Sequence, residues 1–208
     1  MTDAFAARYR RVWHVIEAEG AGCEILYPAA MLRRLATLPD DNANRDDFQC
    51  LTLPGGGQAV LRKQLMRDER LCPTLTGTFF GRPDQWRAHI NRHVFFWVSE
   101  DRRDRFIKAC VRLRARGAIG AGLSPVVIEL ETASLLEEHP AAFLSLINTG
   151  STVRGGARAR RDETTLRALR DWQRERVVEL AIRGPVRLPP DYERWPAPPH
   201  ALARVAAT

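Results

Sequence analysis

No run of about 18 apolar residues occurs in this 208-residue chain, so no segment is built to cross a bilayer as a helix. Its first residues, Met1-Thr2-Asp3-Ala4-Phe5, lack the basic-then-apolar layout of a secretory leader, and the expectation is a cytoplasmic protein with no membrane partner. Cysteine is sparse: Cys23, Cys50, Cys72 and Cys110 show no CxxC spacing, which argues against a zinc knuckle and for reduced, mostly buried thiols. GxSxG and HExxH elements are missing, and Pro54-Gly55-Gly56-Gly57 is not followed by a helix with Lys-Ser or Lys-Thr, which removes a P-loop. His89 and His93 have the spacing of a helical metal pair, but His93 falls past the expected helix end, so no metal is expected. Lysine is nearly absent. With only Lys63 and Lys108, the net charge of +7 is an arginine charge, suited to bidentate phosphate contacts and a polyanionic partner. Beside so much alanine, the same skew also fits a GC-rich genome.

What is present points to one domain with a sizeable core, since 45% hydrophobic and 27% charged residues is an ordinary globular balance. The chain is organised around Asn91 to Ser99, in which Val94-Phe95-Phe96-Trp97-Val98 is too short for a membrane and aromatic on both faces. It reads as a strand buried on both sides, the plain alternative for each aromatic being ordinary core. Ser99-Glu100-Asp101 then caps the longest helix, to Arg116, with Phe106, Ile107, Cys110, Val111 and Leu113 inward. Arg102, Arg103, Arg105, Arg112 and Arg116 mostly fall elsewhere, as a basic surface that is either solvated or a binding face.

Around that centre, residues 1 to 10 suggest a short helix, and Arg11 to Glu17 alternates as a strand, Trp13 and Val15 opposing Val12, His14 and Ile16. A short strand over 23–27, a helix from Pro28 to about Leu38, a polar loop over 39–47 and a hairpin over 48–62 follow. Next come a short helix through Trp86 and Ile90, a strand at 125–131, a short helix capped by Thr132, and a strand at 143–147. That last strand ends in Asn148-Thr149-Gly150-Ser151-Thr152. The loop 153–162 carries Arg154, Arg158, Arg160 and Arg161 with almost nothing apolar, a pattern more often functional or disordered than structural. Residues 164–176 suggest a helix and 177–182 the last strand. The domain is drawn at 1–184, and the Pro- and Ala-rich tail 185–208 is expected to wrap the surface or fray. Glu179 lies inside the last strand, where pattern alone has it point to water more readily than into a site.

From Tyr9 to about Ile182 the chain resembles an uncharacterised bacterial family known only as a domain of unknown function. Five elements carry the resemblance: Arg11-Val12-Trp13-His14, Val60-Leu61-Arg62-Lys63-Gln64, Val94 to Trp97, Asn148 to Thr152, and Val177-Val178-Glu179-Leu180. Their order is similar to the ADP-ribosyltransferase fold, in particular to DarT-type nucleic-acid ADP-ribosyltransferases. The resemblance implies an α+β fold with a split, mostly antiparallel sheet flanked by helices. It implies NAD as substrate, with His14 on a ribose, Phe96 or Trp97 against the nicotinamide, and Glu179 as the catalytic carboxylate. Arg62 or an arginine of the 154–161 loop would pair with the pyrophosphate, and Asn148, Ser151 and Thr152 would add donors. Arg102, Arg103, Arg105, Arg154, Arg158, Arg160 and Arg161 would meet DNA or RNA as acceptor. A toxin or phage-defence setting, with an antitoxin protein as a further partner, is part of the same expectation. A non-catalytic binding module on this fold and an NAD glycohydrolase stay open beside it. Two departures stand out: the family's Trp-x-x-Ile-x-x-x-Gly-Leu helix has no counterpart in Gly20 to Leu26, and Phe96-Trp97 stands where related transferases often keep a Tyr.

Overall fold

Period-two alternation over Arg11–Glu17 (β1) and the aromatic run His93–Trp97 (β5) produce the two strands at the middle of the molecule. The computed structural model describes residues 1–17, 24–39, 45, 48–62, 64, 66–115, 125–152, 159–190 and 192–196. In chain order the helices are α1 (Thr2–Arg8), α2 (Ala29–Leu35), α3 (Asp68–Leu71), α4 (Pro83–Ile90), α5 (Glu100–Ala115) and α6 (Thr132–Glu138). The remaining strands are β2 (Ile25–Leu26), β3 (Gln49–Thr52), β4 (Gln58–Leu61), β6 (Pro125–Glu131), β7 (Phe143–Ser145), β8 (Arg167–Ala168), β9 (Glu179–Arg183), β10 (Val186–Arg187) and β11 (Glu193–Pro196). Among the described residues, seven strands form one antiparallel sheet in the order β11-β6-β1-β5-β9-β7-β8, and β2–β10 and β3–β4 are separate antiparallel pairs. The fold is thus α+β with a mainly antiparallel sheet. No helix among the described residues is long and apolar enough to cross a membrane.

Both faces of the centre are covered. On one, Val12, Val94, Phe96, Leu180 and Ile182 pack with Phe5 of α1 and Leu136 of α6. On the other, Trp13, Val15 and Val127 pack against Ile107 of α5, while Phe95 meets the cluster of Met66, Leu71, Leu75, Trp86 and Ile90. Full burial of each such side chain contributes about 1.5–3 kcal/mol, against about 0–1 kcal/mol for an exposed ion pair, so the aromatic strand and not the surface charge holds the fold.

Several expectations are corrected. Residues 164–176 are not a helix: β8 pairs with β7, a 3-10 turn spans Leu169–Asp171, and Arg174 sits at φ 67. Leu166, Leu169 and Trp172 are buried along this path, and Leu169 N–H donates to Ala142 O, so pairing with the sheet edge outweighs a weak helical pattern. Thr132 is the first helical residue of α6 and caps nothing by hydrogen bond; Glu131 holds the N-cap position. Cys50 is exposed, and Cys72 and Cys110 are half-buried, so these thiols form no disulfide among the described residues but are not mostly buried; Cys23 lies outside the described residues. Beyond residue 184, β10 pairs with β2 and β11 adds an edge strand to β6, with Pro196 where an edge tolerates it. Residues 197–208 lie outside the described ones, as do most of the loop 39–47 and Arg116.

Candidate active site

The central sheet is forked. β1 and β5 meet at Trp13↔Trp97, whereas β1 pairs with β6 along its whole length and β5 with β9 from His93 to Trp97. Continuing the β1–β5 register would set Val15 opposite Phe95. Instead, side chains take the two carbonyls. His14 Nδ1 lies 2.7 Å from Phe95 O, and Arg62 Nη1 donates to Val15 O at 2.9 Å. Buried carbonyls must be paired, and here pairing by side chains replaces a ladder that has ended. Arg62 is braced in turn: Nη2 lies 3.1 Å from the buried Glu17 Oε1 and 3.1 Å from Cys110 Sγ, with the guanidinium 4.9 Å above the Phe106 ring.

Because a carbonyl only accepts, His14 Nδ1 carries the proton and Nε2 is left as an acceptor. Burial, together with the nearby Arg62, pushes the imidazole down to about 4, so it is neutral at physiological pH. Phe96, fully buried, supports the ring from 5.6 Å.

A cleft of about 890 Å³ opens beside this fork, at the large end of the range for small-molecule sites. His14, Arg62, Phe96, Trp97, Asn148, Ser151 and Glu179 all line it, as do Arg102 and Arg105. Residues from six separate segments therefore converge on one concavity. Glu179 is 4% exposed and does not point to water. It opens β9 opposite Trp97 on one side and Ser145 on the other, which places it in the same row as Trp13. Its Oε2 accepts from Thr149 N–H (3.0 Å) and Thr149 Oγ1–H (2.8 Å), leaving Oε1 without a protein donor among the described residues. Burial raises its pKa to about 7 against the pull of Thr149, Arg161 and Arg102.

One wall of the cleft is basic. Arg102, Arg105, Lys108 and Arg112, three or four residues apart on α5, all line it. Arg105 pairs with Asp101 at 2.8 Å, whereas Arg102, Lys108 and Arg112 have no ion-pair partner among the described residues. Unpaired cations beside an apolar concavity favour an anionic ligand.

Other predicted residues sit apart. Thr152 is buried, with no hydrogen bond to its Oγ1 among the described residues. Arg103 is buried over the Trp13 ring and paired with Asp104. Arg160 is exposed, Arg161 is fully buried, and Arg154 and Arg158 lie outside the described residues. His93 Nδ1 lies 3.1 Å from His89 O, and the two rings stand 5.6 Å apart. Sequence reasoning missed Thr149, which touches the carboxylate; the turn was visible, but not which of its donors would face Glu179. Lys108 was missed as well, although its helical spacing from Arg105 and Arg112 was there to be used.

Residues 9–192 match the family model described as "Family of unknown function (DUF7002)". Comparison with curated proteins and with solved structures found no match. A match over this much of the sequence is membership, and the chain belongs to the DUF7002 family of unknown function.

Proposed function

We propose that this protein transfers ADP-ribose from NAD, with nucleic acid as the acceptor. The observation that carries the reading is Glu179: a buried carboxylate that lines the cleft, one oxygen held by Thr149 and the other without a protein donor among the described residues, with Arg102, Lys108 and Arg112 lining the same cleft. In this reading NAD lies along the cleft with its pyrophosphate toward Arg102, Lys108 and Arg112. Trp97, half-buried and opposite Glu179, packs against the nicotinamide, and His14 Nε2 accepts from a ribose hydroxyl. Arg62, committed to Val15, Glu17 and Cys110, serves the fork. As the bond from ribose C1′ to the nicotinamide nitrogen breaks, its electron pair leaves with nicotinamide. Glu179, as the carboxylate, holds the ribose hydroxyl and stabilises the positive charge on C1′. The acceptor's nucleophilic atom then bonds C1′ and releases its proton to water. The motif order that resembles DarT-type enzymes supports the same assignment.

The test is nicotinamide release from NAD with and without single-stranded DNA, RNA or cell lysate, comparing wild type with Glu179→Gln. Release that Glu179→Gln lowers by about two orders of magnitude or more is expected, in line with loss of one electrostatic stabiliser. The additive that accelerates it identifies the acceptor, and release unaffected by any additive marks a glycohydrolase. Folded protein with neither release nor a thermal shift with NAD overturns the proposal and leaves a binding module.

A further inference from the structure

We infer that Arg161 is a positioning residue: its buried guanidinium fastens the Asn148–Ser151 turn and, through Thr149, holds the Glu179 carboxylate in place in the cleft. The inference rests on the transferase reading for its consequence in catalysis, but on geometry for the arrangement itself. Arg161 comes from an almost wholly polar stretch, where an arginine is expected in water, yet it is 0% exposed. Burying a guanidinium is costly unless its donors are used. Nη2 donates to Ser151 O at 2.5 Å and reaches Asn148 O at 3.4 Å, while Nη1 donates to Ala159 O at 2.7 Å. Two of those carbonyls flank Thr149, whose N–H and hydroxyl both reach Glu179. The guanidinium therefore closes the turn across its ends and sets where its middle points.

Arg161 is itself anchored. Its N–H donates to Thr74 O at 2.8 Å, and its carbonyl accepts from Thr76 N–H at 2.9 Å. A lysine would carry the charge but lacks the planar fork that spans separate carbonyls. The charge also acts directly, because Arg161 favours the ionised form of Glu179 and Glu179 favours the cation of Arg161. Of the groups around Glu179, Arg161 and, from α5, Arg102 are charged; Trp97 and Ser145 beside it in the sheet and Thr149 above it are neutral.

Two measurements on the full chain test this: the Glu179 titration by 13C-carboxyl NMR and the pH profile of nicotinamide release. They are made on wild type, Arg161→Gln, Arg161→Lys, Thr149→Val and, as a control, the exposed Arg170→Gln. In Arg161→Gln the Glu179 midpoint moves alkaline by about one pH unit, so the carboxylate-to-acid ratio falls about tenfold at a given pH. Arg161→Lys and Thr149→Val move it in the same direction by less, Arg170→Gln leaves it in place, and the rise of rate with pH follows each midpoint. An unchanged midpoint in folded Arg161→Gln, or in Arg161→Lys should the first not fold, overturns the inference. Should neither fold, the Arg161 guanidinium resonances of the wild type decide: they titrate with Glu179, or the inference fails. The NMR readout needs no NAD. A shifted midpoint with no release from any protein upholds the arrangement and sinks the transferase reading; release with an unshifted midpoint does the reverse.

Discussion

At the scale of single residues, Glu179 exchanges stability for a poised charge. Its folded-state pKa, about 7, lies above the ordinary 4.5, with burial as the first cause. For a group shifted upward, the stabilising contribution is fully present below the unfolded value and is lost as pH rises through the folded one. Ionised Glu179 above pH 7 therefore costs about 3 kcal/mol, an order-of-magnitude figure. Glu179→Gln keeps the shape and an acceptor for Thr149 without the charge. It is expected to raise the melting temperature at pH 8 by several degrees and to leave it unchanged at pH 4, as read by calorimetry. An equal shift at both values would mean that the carboxylate is not strained by burial.

The fork is a property of elements, and its brace can be tested as such. Arg62→Met removes the donor to Val15 O and strips the buried Glu17 of a cation at 3.1 Å. Taking a cation away from a buried carboxylate costs up to about 3–5 kcal/mol, far above an exposed ion pair, and Arg62→Met/Glu17→Gln recovers most of that loss. Urea denaturation of the three proteins separates the cases, and a loss below about 1 kcal/mol for the single variant would reduce Arg62 to a surface contact.

Sequence reasoning reached these elements unevenly, for physical reasons. The β1 faces and the doubly buried β5 were legible because alternation and an aromatic run are local signals. The place where the β1–β5 ladder stops was not, because it depends on His14 and Arg62, which come from different segments. Residues 164–176 misled because Leu166, Leu169 and Trp172 offer a weak helical spacing while the free edge of β7 offers a stronger partner. Glu179 was singled out by motif order rather than by alternation, which cannot separate a buried from a solvated carboxylate at a strand end.

For the whole molecule, acid should be the weak side. Burial holds His14 and His93 at about 4 and also lowers His89, so all three are kept neutral. For a histidine depressed below the ordinary 6.5, the folded-state advantage is present above 6.5 and is lost as pH falls toward the folded value. Glu179 runs the other way between pH 7 and 4.5, regaining stability as it protonates. One carboxyl offsets about one histidine, so the net loss from pH 7 to pH 4 is about 3 kcal/mol. The net charge of +7 adds self-repulsion in the same direction as carboxylates protonate, but that part is screened by salt. Unfolding free energy measured from pH 7 to 4 at low and high salt should therefore fall in both series, less steeply with salt present. In high salt, His14→Gln/His93→Gln leaves the Glu179 gain unopposed by either residue, so the fall should be abolished or reversed. A slope that vanishes with salt alone would assign the acid sensitivity to net charge and leave the buried histidines without a part in it.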